Sequence, residues 1–120
     1  MLEILPIEDK ILQESLCLRC GVNFNTEFMS YAAYIDGKPA GICQFTVNSN
    51  VGILTDLAVS GDTQNEQVLF ALGIAALNFM DICDTHTVKC QSENIDGSIL
   101  LSLGFTQKSD GMYENKISGA

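Results

Sequence analysis

The chain has 120 residues, the size of one domain, so a two-domain enzyme with a cleft between its halves is excluded as a first expectation. Hydrophobic residues make up 47% and charged residues 18%, a globular mix that argues against a disordered, collagenous or coiled-coil chain. Six Lys plus Arg against fifteen Asp plus Glu leave a formal charge of -9, the wrong sign for a phosphate backbone or an anionic membrane, so neither nucleic acid nor membrane is expected as a partner.

In chain order, residues 2–7 (LEILPI) read as a short strand that Pro6 confines to a sheet edge or to the strand's end. From Glu8 to Cys20, apolar Ile11, Leu12, Leu16 and Leu18 recur near helical spacing, with Gly21 as the stop, and predict an amphipathic helix. Residues 29–35 and 39–47 are rich in aromatic and β-branched side chains, and Asp36-Gly37-Lys38 between them predicts a tight hairpin. Asn48-Ser49-Asn50 turns the chain into a third antiparallel strand at 52–59. From Gln64 to Cys83 apolar residues, Ile82 among them, occupy most of a helix circumference, as expected of a helix buried on a sheet. A strand at 86–91, a short helix at 95–103 stopped by Gly104, and a hairpin of 105–109 and 112–117 complete the order βαβββαβαββ. The expected fold class is α/β in the broad sense: one domain over 1–120 with a mixed sheet, an antiparallel meander, one parallel crossover and helices on both faces.

No apolar run reaches the roughly 20 residues of a spanning helix, and the first ten residues carry acid where a secretory signal carries base. A cytoplasmic setting is the expectation. The cysteines at 17, 20, 43, 83 and 90 are odd in number and irregular in spacing, which suits reduced thiols packed as small hydrophobes better than a disulfide framework. Cys17/Cys20 and Cys83/His86 have zinc-ligand spacing, but nothing in the sequence brings the pairs together, and no metal is expected. His86 is the only histidine and lacks the setting of a hydrolase triad.

YIDGKPAGICQF as a hairpin, ILTDLAV as the next strand, a long helix, a short strand and SILLSLGF before a closing hairpin resemble the GNAT N-acetyltransferases over residues 29–117. The resemblance implies an acetyl-CoA co-substrate lying where two strands splay, its pyrophosphate on unpaired N–H groups at the start of the long helix. Aligned on Leu57-Ala58-Val59, it implies cofactor contacts at Leu57, Val59, Gln64, Asn65, Glu66, Gln67, Val68, Leu69 and Asn94, and a general base at Asp56. The sequence departs from the family pattern. Gln67 and Leu69 stand where the loop has small residues, Glu66 adds negative charge, Leu100 occupies the position of a proton-donating tyrosine, and Glu93 precedes Asn94 where an Asn is expected.

Two functions follow. One is transfer of an acetyl group from acetyl-CoA to a primary amine of a small molecule or peptide, cationic acceptors suiting the acidic chain. The alternative is a catalytically silent GNAT-like module that has lost its cofactor and binds a partner. Only about 21 residues separate the first two strands, so the acceptor side is short, and a second subunit in a homodimer, or a peptide, could complete it.

Overall fold

The computed structural model describes residues 1–61, 66–91 and 95–117. Its elements are β1 (Leu2–Pro6), α1 (Lys10–Cys20), β2 (Met29–Ile35), β3 (Lys38–Asn48), β4 (Val51–Val59), α2 (Glu66–Ile82), β5 (Thr87–Cys90), α3 (Gly97–Ser102), β6 (Thr106–Gln107) and β7 (Tyr113–Lys116). The order is the one the sequence predicts. They form one seven-stranded sheet in the order β1-β2-β3-β4-β5-β7-β6. All pairings are antiparallel except β4 with β5.

Local chemistry explains the punctuation. Pro6 ends β1, which is itself an edge strand, so its missing N–H costs no ladder bond. Asp36 and Gly37 adopt φ of 51° and 81° and join Ile35 to Lys38; positive φ at both central residues is the type I′ geometry that matches strand twist. Asp9 caps α1 by accepting from Ile11 N–H, and Gly21 closes it with φ 74°. Asp96 caps α3 in the same way through Ser98 N–H.

Helices lie on both faces, and strand alternation sorts the side chains between them. Ala33 and Cys43 pack with Val68, Leu72 and Ala76 of α2 in the larger core. Their neighbours Ala32 and Ile42 pack with Leu16 and Cys17 of α1 in the smaller one. At Gly41 an added Cβ would lie 2.8 Å from Ala58 O and 3.1 Å from Leu72 Cδ1, so the bare backbone is what lets α2 sit this close. Tyr31 stacks on Phe45 at 6.1 Å between centroids, and Phe79 of α2 meets both. Tyr31 and Phe45 pack across neighbouring strands, as their positions suggest, with Phe79 of α2 against them.

Two expectations about helix faces are corrected. In α1 the inward residues are Gln13, Leu16 and Cys17, whereas Ile11 is 79% and Leu18 85% exposed. Spacings of three and four from Gln13 define the buried stripe, and a glutamine belongs to it because its amide is hydrogen-bonded to Gln44. Ile82 is likewise exposed, on the last turn of α2 beyond the sheet.

Candidate active site

The sheet opens at its parallel pair. β4 and β5 are bonded only through Val51–Ile53 against Thr87–Lys89. β5 ends at Cys90 while β4 runs on to Val59, so among the described residues the second half of β4 has no paired strand on that edge and a fork forms. A cleft of about 540 Å³ occupies the fork on the α1 face, lined by the 23–28 loop, by Ile53 to Asp56 of β4, by Gln91 and by Met112. Across the sheet a smaller hollow of about 270 Å³ lies between the first turn of α2 (Glu66, Gln67, Phe70) and Ile99 and Ser102 of α3.

Asp56 reaches the cleft because β4 is bulged. The β3 partners Gln44 and Phe45 face Asp56 and Leu54, leaving Thr55 as an extra residue whose hydroxyl donates to Gln44 O at 2.9 Å. The bulge turns Asp56 towards α1, whereas Leu54 sits in the core under α2. Asp56 is 6% exposed, and among the described residues the one ion pair is that of the N-terminus with Asp36, so no cation neutralises it.

What holds the carboxylate is an amide. Gln44, fully buried, donates from Nε2 to Asp56 Oδ2 and to Asn23 O, both at 2.8 Å. Its Oε1 accepts from Gln13 Nε2 at 2.9 Å and from Cys17 Sγ at 3.2 Å. Gln13 Nε2 also donates to Phe28 O at 3.3 Å, and Lys10 Nζ donates to Gln13 Oε1 at 3.0 Å and to Phe28 O at 2.6 Å. These bonds fix the Gln44 amide's orientation, since the flipped amide would turn oxygen towards the carboxylate and Asn23 O. Sequence reasoning missed both glutamines. Their only signal was polar residues at inward positions of a strand and a helix, which burial makes informative and sequence alone does not.

Cys17 and Cys20 lie beside this network and Cys43 and Cys90 in the core across the sheet, and burial keeps all four protonated. Cys17 and Cys20 are pushed up to about 11. Cys43 and Cys90 are pushed up to about 12, with the Asp56 charge adding to desolvation. The cysteines of the described chain are free. Among the described residues, no group of three or more His, Cys, Asp or Glu stands close enough to hold a metal.

The residues singled out for cofactor binding fall into three sets. Glu66 and Gln67 lie exposed on the first turn of α2, beside the smaller hollow. Leu57 and Val68 are buried at 4% and 1% exposure, and Val59 and Leu69 pack half-buried against the same core. Gln64, Asn65 and Asn94, with Glu93, lie outside the described residues. Leu100 is fully buried, but a phenol approaches α3 from elsewhere: a Cβ built on Gly97 would lie 2.5 Å from Tyr113 Oη of β7.

No protein-family model and no curated protein matches the sequence. Solved structures do match in shape. GCN5 of Tetrahymena superposes with a TM-score of 0.79 at 14% identity, covering 100% of this chain and 98% of that one. The ribosomal-protein-S18-alanine N-acetyltransferase of Escherichia coli gives 0.78 at 18% identity, covering 100% and 96%. This chain has the GNAT N-acetyltransferase fold. A third structure of that fold, the PaiA N-acetyltransferase of Thermoplasma acidophilum in complex with coenzyme A, gives 0.71 at 15% identity, covering 97% and 99%. In a GNAT fold the opening between β4 and β5 is the place the resemblance assigns to the acyl donor. Here it is flanked by a carboxylate on one face and a helix start on the other.

Proposed function

We propose that this chain is an acetyl-CoA-dependent N-acetyltransferase acting on a primary amine of a small molecule or peptide. The observation that carries the reading is Asp56: a buried carboxylate with no cation paired to it among the described residues, one oxygen held by Gln44, lining a cleft in the fork of a GNAT sheet. Burying an unpaired charge costs stability, so its retention at the mouth of a cleft points to chemistry. Acetyl-CoA, when bound, supplies the acetyl group as a thioester.

The chain's own residues do the rest. A cationic amine entering from the α1 face meets Asp56, the single charged side chain among the described residues that line the cleft, which orients the ammonium and takes its proton as general base. Asn23, Asn25, Thr55 and Gln91 offer neutral polar groups around it, and Phe24 and Phe28 an apolar wall. That wall is the short loop that follows α1, which leaves room for a peptide as well as a small amine. On the α2 face, the shape of the hollow suits one end of a long ligand, while Glu66 opposes its phosphates. The free thiols fit a reducing, cytoplasmic setting.

The silent-module alternative rests on Gln67, Leu69 and Leu100 and gives Asp56 no task. The test is calorimetric titration with acetyl-CoA at low salt, followed by acetyl transfer to a panel of polyamines, basic peptides and aminoglycosides. Micromolar binding, about -8 kcal/mol, with transfer to some member supports the proposal. Absence of heat at millimolar ligand together with no transfer overturns it.

A further inference from the structure

We infer that Gln44 is a positioning residue for this site. Through one amide it fixes both the Asp56 carboxylate and the loop that walls the acceptor cleft. The inference rests on the role proposed for Asp56 and deepens it.

All four of the bonding directions that Gln44 uses are committed. Nε2 has two hydrogens, one on Asp56 Oδ2 and one on Asn23 O; Oε1 has two acceptor sites, taken by Gln13 and Cys17. An amide saturated in this way cannot rotate without leaving buried partners unpaired, at the full cost of their desolvation. The carboxylate is therefore held by Oδ2. Asn23 lines the cleft, and its carbonyl shares the donor that holds the base. A second amide, Gln13, ties Phe28 O at the loop's far end to Gln44. Base and wall thus stand in a fixed relation set by β3 and α1.

The charges around Asp56 leave this task to Gln44. From α1 it faces Cys17 and Cys20, and across the sheet, in the core under α2, lie Cys43 and Cys90, all thiols held protonated by burial; Arg19 of α1 acts on Cys20 but makes no ion pair with Asp56 among the described residues. Glu14 of α1 acts on Cys17 with the same sign as Asp56. Lys10 stands at the far end of the relay, beyond Gln13. Lys89 of β5, paired with Ile53 across the parallel ladder, makes no ion pair with Asp56 among the described residues. A neutral donor, not a cation, is what holds the carboxylate in place here.

Two readouts on the full chain test the idea. Gln44→Met removes the donors at similar length, and Gln44→Glu keeps an acceptor for Gln13 and Cys17 while setting a second carboxylate against Asp56. In both, the carboxyl-carbon NMR titration of Asp56 is expected to move to higher pH by about one unit or more, a tenfold change in proton affinity. The acidic limb of the kcat/KM profile should move in the same direction, so that the loss of activity is largest at the acidic end and shrinks as pH rises. A wild-type titration midpoint in a folded variant overturns the inference, as does a loss of activity by the same factor at every pH. Gln44→Glu by itself reports only that the two groups are adjacent, so if Gln44→Met fails to fold, Gln44→Leu takes its place in both readouts. The NMR arm needs no turnover, so a chain that transfers no acetyl group defeats the proposed function and leaves this inference to stand or fall on the titration.

Discussion

Substituting Gly73 tests how α3 is fastened over the smaller hollow. Gly73 lies in the middle of α2, where alanine is worth about 1 kcal/mol more than glycine in an exposed helix. Here the added Cβ would lie 2.5 Å from Leu103 Cδ1, 2.9 Å from Cδ2 and 3.2 Å from Cγ. Leu103 caps α3 and is 7% exposed, so it has little room to withdraw, and overpacking of this kind costs about 1–3 kcal/mol. Gly73→Ala should therefore destabilise the protein by about 0–2 kcal/mol. All three overlapping atoms belong to Leu103 beyond its Cβ. In a Leu103→Ala background, itself about 2–5 kcal/mol less stable, the same Gly73→Ala change should stabilise by about 1 kcal/mol. The coupling, about 1–3 kcal/mol, is read from urea midpoints of the four proteins in a double-mutant cycle. If Gly73→Ala stabilises both backgrounds equally, α2 and α3 do not pack as described, and the hollow between Glu66 and Ser102 has a different shape.

Asp56→Asn keeps an oxygen for Gln44 Nε2 but removes the base, so kcat/KM for the amine should fall about 10²–10⁴-fold with acetyl-CoA affinity unchanged by calorimetry. An equal fall in cofactor binding would move Asp56 out of the acceptor site. Glu66→Gln removes a like charge from the exposed start of α2, and the Kd for acetyl-CoA should drop about two- to fivefold at low salt, the 0.3–1 kcal/mol of a helix-terminus charge, and the gain should fade in 1 M salt; an unchanged Kd would place the phosphates elsewhere. Cys43 and Cys90 stay protonated to about pH 12 when folded but ionise from a value of 9.0 when unfolded. Their contribution is complete below pH 9 and is lost as pH rises towards 12, with a slope of up to about 1.4 kcal/mol per pH unit for each thiol. Urea midpoints at pH 8, 10 and 11 in reductant should fall accordingly, and Cys43→Ala should flatten the fall; identical slopes would refute the assignment.

The element order was legible in the sequence because its punctuation is chemical. Asp36-Gly37 dictates a primed turn, Pro6 an edge and Gly21 a helix stop, and each does in the structure what its covalent geometry requires. The inner face of α1 was not legible, because an apolar count favours Ile11 and Leu18 over Gln13, and the factor that buries Gln13 is a glutamine 31 residues away. The candidate site was half visible for the same reason. Asp56 could be named from a family resemblance, yet its holder lies on another strand and the wall it shares on a loop, and neither hydrogen bond leaves a mark on local sequence. The resemblance also named Leu57 and Val68, whose side chains belong to the core. Residues flanking a backbone site share its neighbourhood without facing it.

The extra residue in β4 has a consequence for length rather than for composition. Counting by twos from Gly52 and Leu54, both on the α2 side, Asp56 and Ala58 should follow them into the core; Thr55 resets the count, so Leu57 goes inward instead. The strand carries a shift of phase, much as a reading frame does. Thr55→Ala forfeits one hydroxyl bond and leaves the phase intact. Loss of Thr55 altogether would exchange the two sides for every residue after it, setting a carboxylate against α2 and leucine and valine against the acceptor, and far-UV circular dichroism should show a folded chain in the first case and not in the second. A relative compared with this chain across a one-residue gap there would have its acid and its leucine assigned to the wrong sides of the sheet.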